Sequence, residues 1–194
     1  MMCLLPRSTV PEAAAHLARA EPGVDLRILA VGGVAALGLL RSGAAALAIG
    51  SWLDAPADIE VQPLATAQAC LLVPEGHPLE RVDRPGPQDL ARHVLVLPAR
   101  RHGTRQLVDL PFARAGVPMP ALLEAPDWAA VHDLVALGQG VAITNAVAAT
   151  AWSGDGSGVR VVPLSHDFPP RPYGIASRRG NPPSGPAAHL VERL

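Results

Sequence analysis

Three short polar stretches stand directly after apolar runs in this chain. Ser8-Thr9 follows Met2–Leu5, Arg100-Arg101-His102-Gly103-Thr104 follows Val94–Leu97, and Thr144-Asn145 follows Val141-Ala142-Ile143. Each also opens a stretch with helical spacing. A strand that hands over to a helix leaves its polar residues at the strand's carboxyl end, where open α/β sheets bind ligands. The same residues sit at a helix amino terminus, whose free N–H groups and partial positive charge attract anions. Arg100 or Arg101 can add a bidentate contact to a carboxylate. The candidate ligand-binding set is therefore Ser8, Thr9, Arg100, His102, Thr104, Thr144 and Asn145, and the ligand class is a small anionic metabolite, a carboxylate. A plainer reading has Thr9, Thr104 and Asn145 only capping helices, Arg101 as a solvated charge, and Trp128 packing at the start of its helix. Ser51-Trp52 ends another apolar run, and Trp52 suits a cleft wall, the core or a dimer face equally.

Covalent and metal chemistry finds little purchase. The serine of Gly154-Asp155-Gly156-Ser157-Gly158 stands at the wrong place for a nucleophile elbow. Phosphate-cradling glycine motifs are absent. The seven histidines are scattered without zinc spacing. His132-Asp133 and His166-Asp167 are adjacent in sequence and are read as not facing one another. His77 is read as structural. No enzyme, metal or cofactor is expected.

Positioning these residues requires an α/β framework. The fullest unit is Asp127–Asn145. Val131, Leu134, Val135 and Gly138 recur at helical spacing, Asp127 is an N-cap, Gly138 ends the helix, and Val141–Ile143 suits a buried strand of a parallel sheet. Upstream, Met2–Leu5 reads as a short opening strand. Thr9-x-x-Glu12 reads as the capping box of a helix to about Ala20, burying Val10, Ala14, Leu17 and Ala18. Val24–Val31 reads as a second strand, Val34–Ser42 as a helix closed by Gly43, and Ala44–Ile49 as a third strand. That β-α-β-α-β order implies a parallel sheet with right-handed crossovers. Ile59–Val73 reads as one long extended stretch, bent or edge-placed by Pro63.

The second set runs through a brief helix at Gln88–Ala91, a strand at Val94–Leu97, a helix at Arg105–Ala115 bent near Pro111, and a strand at Leu122–Glu124. After the central unit come strands at Val159–Leu164 and Tyr173–Ser177. A final helix, Ser184–Leu194, turns Leu190, Val191 and Leu194 inward. Two extended crossings, near Leu64–Val73 and Asp167–Tyr173, divide the chain into lobe I (1–70 and 170–194) and lobe II (71–169), with a ligand cleft between them.

The 194 residues suffice to bury a core without staples. Net charge is −1, and the 16 basic residues are all arginine, a compositional bias rather than a patch that would bind nucleic acid or an anionic membrane. The two cysteines, Cys3 and Cys70, read as core residues in a reducing, cytoplasmic setting. Leu26–Ile49, the most apolar window, is broken by Arg27, Arg41 and glycines and is not a membrane span.

The order of several stretches resembles the effector-binding domain of LysR-type transcriptional regulators. They are A-R-A-E-P-G-V-D-L (18–26), L-R-S-G-A-A-A-L-A-I-G (40–50), L-L-V-P-E-G-H-P-L (71–79), D-L-A-R-H-V-L-V-L-P (89–98), L-V-A-L-G-Q-G-V-A-I-T-N (134–145), V-V-P-L (161–164) and R-P-Y-G-I-A-S-R-R (171–179). Where the family often has an acidic pair after the glycine at position 43, this chain has Ala45 and Ala46. The resemblance implies an α/β, type 2 periplasmic-binding-protein-like fold, with two Rossmann-like lobes joined by two crossover strands. It also implies a homodimer or higher oligomer, and a sensor that modulates transcription when a small-molecule effector occupies the cleft. The family's helix-turn-helix, expected before residue 1, is absent from this chain, so DNA is a partner only through that domain. The alternatives are a stand-alone solute-binding protein of the same fold, an enzyme built on it, and a pairing module that binds no ligand.

Overall fold

The computed structural model describes residues 9–29, 31–52, 55–98, 105–149 and 156–194. The chain forms two compact units, Met1–Thr66 with Arg171–Leu194, and Ala67–Pro170.

In the first unit, α1 (Thr9–Ala20) and α2 (Gly33–Ser42) precede strand β1 (Ala48–Ser51) and strand β2 (Ile59–Ala67). Strand β8 (Arg171–Arg178) and helix α7 (Pro186–Val191) return to it at the end of the chain. The sheet order is β1-β8-β2. Ala36 and Leu40 of α2 pack on Ala48, Ile59 and Ala176, one from each strand. Gly43 closes α2 with φ 74°, a left-handed conformation that glycine adopts without a Cβ clash. Arg41 at the end of α2 grips the Asp58 carboxylate through two N–H groups, at 2.6 and 2.9 Å. That pairing raises the guanidinium's pKa and lowers the carboxyl's.

In the second unit, strand β3 (Ala69–Pro74) leads through a 3-10 turn (Pro78–Arg81) and helix α3 (Pro87–Leu90) to strand β4 (Leu95–Pro98). Helix α4 (Arg105–Ala115), strand β5 (Leu122–Ala125), helix α5 (Trp128–Ala136), strand β6 (Ala142–Asn145), helix α6 (Ala146–Ala149) and strand β7 (Val159–Pro163) follow. β3 lies between β6 and β7, antiparallel to both. β4 and β5 pair in parallel. A parallel bridge between Leu95 and Val141 links them to β6.

The apolar run of β3 is explained by burial on both faces. Leu71 and Val73 join Phe112, Leu79 and Leu90 in one core, while Cys70 and Leu72 join Val131 and Val135 of α5 in another. Strand alternation sends neighbouring residues to opposite faces, so a strand covered twice needs no polar positions.

Several expectations need correction. Val24–Val31 is not a strand: among the described residues, Asp25–Leu29 enters no ladder, and Ile28 and Leu29 stay 46% and 44% exposed. Alternating residues make a strand only when a neighbour accepts the backbone hydrogen bonds. Here the segment instead lines, with Ala44–Ala48, Leu17 and Leu190, a cavity of about 680 Å³ in the first unit. Of the three strands expected to run parallel in this unit, the first lies outside the described residues and the second does not form; the third, β1, pairs antiparallel with β8. Ile59–Val73 is extended, as expected, but in two strands. Gln68 separates β2 from β3, which belong to different sheets. The sheet around Val141–Ile143 is mixed rather than parallel, since β6 is antiparallel to β3.

In α1 the inward residues are Ala13 and Leu17, each 3% exposed, whereas Ala18 is exposed. These two lie one turn apart, which narrows the buried stripe. The last helix is shorter than expected, and of its apolar residues only Leu190 is fully buried. The opening strand Met2–Leu5 lies outside the described residues, and so does Cys3.

Candidate functional site

In the second unit several parallel strands end at one edge. β4, β5 and β6 run in one direction, so their carboxyl ends, Pro98, Ala125 and Asn145, meet at one edge of the unit. Asp127 caps α5 just beyond β5, its carboxylate accepting from the Ala130 N–H at 2.9 Å. Gly138, with φ 75°, ends that helix, and the chain then enters β6.

Thr144 and Asn145 close β6 as expected, 8% and 5% exposed. Thr144 shares its face of the sheet with Ala142, the α5 side, while Asn145 shares the face of Ile143. The Thr144 hydroxyl is buried without a hydrogen-bond partner among the described residues. An unpaired buried hydroxyl forfeits about 1–3 kcal/mol, so such groups mark places where the fold serves something other than its own stability.

Trp128, at the first position of α5, packs against the same core, in line with the packing role read from the sequence. Its indole Nε1–H is nonetheless buried without an acceptor. Two orphaned donors thus lie on the α5 side of one edge. Nothing in the sequence separates a satisfied indole from an orphaned one.

Thr9 opens α1, but its side chain lies outside the described residues, as do Ser8, Arg100, His102 and Thr104. Among the expected site residues only Thr144 and Asn145 are brought together, by adjacency on β6.

In the first unit the corresponding feature is Ser51, the last residue of β1, whose hydroxyl is also buried and unpartnered. Trp52 next to it donates its indole N–H to the Gly174 carbonyl at 3.1 Å, a structural role. Arg171 opens β8 half-buried and interacts electrostatically with Tyr173, and no carboxylate is paired with it among the described residues. Burial pushes its pKa down to about 10, which leaves it charged near neutrality. Sequence reasoning passed over Arg171 because an arginine at a strand start is ordinarily a solvated charge.

The remaining polar clusters are structural. His77 caps the 3-10 turn, its Nδ1 accepting from the Leu79 N–H at 3.2 Å, and its ring meets that of His93 edge-on at 4.9 Å between centroids. His132 and Asp133, expected not to face each other, do meet, with Nδ1 and Oδ1 3.2 Å apart. The contact lies at the surface, where the Asp133 side chain is largely exposed. Cys70 is 3% exposed, and burial pushes its thiol up to about 12. Among the described residues no group of three or more His, Cys, Asp or Glu could hold a metal ion. None of the described helices is long and apolar enough to cross a membrane.

Comparison with known families decides what this arrangement belongs to. The LysR substrate binding domain profile matches residues 1–194. The chain belongs to the LysR substrate binding domain family. That family comprises regulatory ligand-sensing domains rather than enzymes, on a periplasmic-binding-protein-like fold.

Solved structures agree on the fold of this LysR substrate-binding domain. The effector binding domain of QuiR in complex with shikimate is similar at 23% identity and a TM-score of 0.77, over 96% of this chain and 88% of that one. The Synechocystis PCC6803 CcmR regulatory domain in complex with 2-PG is similar at 18% identity and a TM-score of 0.82, over 94% and 88%. Full-length BenM is similar at 20% identity and a TM-score of 0.77, over 95% of this chain and 61% of that one. The chain thus spans under two thirds of that full-length regulator. No curated protein sequence matches significantly.

Proposed function

We propose that this domain is the sensor part of a cytoplasmic LysR-type transcriptional regulator, and that it binds a small anionic metabolite, a carboxylate, through strand-end residues, Thr144 and Asn145 among them. The observation that carries this reading is Thr144, 8% exposed at the carboxyl edge of β6, whose buried hydroxyl has no hydrogen-bond partner among the described residues. A ligand oxygen at that edge pairs the hydroxyl. The related QuiR and CcmR domains, described in complex with shikimate and 2-PG, support a small acid as the ligand class.

A ligand that binds one conformation of the domain better than another shifts the population toward it, in proportion to its differential affinity. In a homodimer, that shift is passed to a helix-turn-helix outside this chain, the part that contacts DNA.

The reading is tested by thermal-shift screening of small organic acids, each against its uncharged methyl ester. The expected result is stabilisation by at least one acid and by no ester, as binding to the native state requires. Arg100→Ala and Thr144→Val variants lose that stabilisation while remaining folded. Equal stabilisation by acid and ester, or by wild type and both variants, contradicts the assignment.

A further inference from the structure

The register of the first sheet brings a second polar set into one place. Ser51 pairs with Tyr173 across β1 and β8, and paired residues of neighbouring strands project to the same face. Arg171 stands two residues before Tyr173 on β8, so alternation returns it to that face. Ser51, Tyr173 and Arg171 therefore share one face at the edge where β1 ends and β8 begins.

Tyr173 is 1% exposed and forms part of the core. Its two polar neighbours differ from it. Among the described residues the Ser51 hydroxyl is buried with no partner, and the half-buried Arg171 guanidinium, which interacts electrostatically with Tyr173, has no carboxylate paired with it. Two other cations of this unit do find an acid or a carbonyl: Arg41 holds Asp58, and Arg179 donates to the Ala57 carbonyl at 2.7 Å. A half-buried cation without an anion on the same sheet face as an unpartnered hydroxyl leaves donors for a bound anion, and burying such donors unpaired is costly.

We propose that Arg171 and Ser51 form the anion-holding part of the first unit, the guanidinium taking both oxygens of a carboxylate and the serine hydroxyl donating a third hydrogen bond. Planar guanidinium matches planar carboxylate in two parallel N–H···O bonds, which lysine does not reproduce. The cation remains charged up to about pH 10, so its attraction for an acid persists throughout the physiological range. This inference rests on the reading of the domain as an acid sensor and assigns it a specific charge partner, a role expected from the sequence of Arg100 or Arg101.

The experiment is calorimetric titration of the intact 194-residue chain with shikimate and citrate, each with its methyl ester, using wild type and the variants Arg171→Met, Arg171→Lys, Ser51→Ala and Thr144→Val. The expected result is that wild type prefers acid over ester. Arg171→Met weakens acid binding at least thirtyfold and abolishes the preference, Arg171→Lys restores part of it, and Ser51→Ala weakens it five- to tenfold. The ligand-free melting temperature of Arg171→Met stays level or rises, because an unpaired cation has been removed. Overturning results are acid binding by Arg171→Met within twofold of wild type with the preference intact, or a marked fall in its ligand-free melting temperature, which makes Arg171 a structural residue. If Thr144→Val weakens binding while Arg171→Met does not, this inference alone falls. If wild type binds neither acid, the reading of the whole site falls with it.

Discussion

Leu95 and Val141 face each other in a parallel bridge, and that contact joins β6 to the β4–β5 pair. The Val96 N–H donates to the Val141 carbonyl at 2.8 Å, and the Val141 N–H to the Val94 carbonyl at 2.9 Å. The edge that carries Thr144 is therefore set by how closely the residue before Val141 can approach β4. That residue is Gly140, where an added Cβ falls 2.4 Å from the Val94 carbonyl oxygen.

Gly140→Ala is accordingly expected to destabilise the fold by about 3 kcal/mol or more, because the obstacle is backbone and not a movable side chain. Urea denaturation checks this. A change within about 0.5 kcal/mol, the range of neutral surface substitutions, means that β6 does not depend on this approach.

The Asp127 cap makes a milder prediction. Removing its acceptor in Asp127→Ala leaves the Ala130 N–H unpaired at the exposed start of α5, at a cost of about 1 kcal/mol. Asp127→Asn keeps an acceptor and is expected to retain most of the stability. Equal losses in both variants contradict the capping role.

These two sites mark what could be read from the sequence. Asp127, Gly138 and the β6 residues were legible because capping, helix termination and double burial are local signals written in neighbouring residues. Val24–Val31 misled for the opposite reason. Its alternation of apolar and polar residues is correct for a strand, but a strand needs a hydrogen-bonded neighbour, and that is a tertiary fact. The break at Gln68 was hidden likewise, since β2 and β3 are both extended and differ only in the sheet they join. Of the candidate site, the placement of Thr144 and Asn145 at a strand end was legible. The isolation of Ser51, Trp128 and Arg171 was not, because whether a polar group finds a partner depends on residues distant in sequence.

His77 predicts a pH dependence. Burial, followed by the neighbouring His93, lowers its pKa below the usual 6.5, and Glu80 opposes this weakly. A histidine that resists protonation in the fold stabilises it fully above the unfolded value. That contribution is lost as pH falls below about 6.5, where the unfolded chain takes up the proton first. His77→Asn keeps a capping acceptor for Leu79 but cannot titrate. The stability gap between wild type and His77→Asn is expected to shift against wild type between about pH 7 and 5, in urea melts at stepped pH. Parallel curves contradict it.

Thr144→Val separates function from stability. The substitution replaces an unpaired hydroxyl with a methyl of nearly the same shape, so the ligand-free protein is expected to be as stable as wild type or more stable by about 1 kcal/mol. A loss of about 1 kcal/mol or more, the value of a made hydrogen bond, means the hydroxyl is paired within the protein.

The most direct measurement of the central claim is calorimetric titration of a set of metabolite carboxylates into wild type and Thr144→Val side by side. The account predicts one-to-one binding of at least one acid to wild type, weakened about tenfold or more in the variant, as expected when one buried hydrogen bond to a charged ligand is lost. Binding of equal affinity in both proteins, or no heat from any acid with a correctly folded wild-type chain, contradicts it.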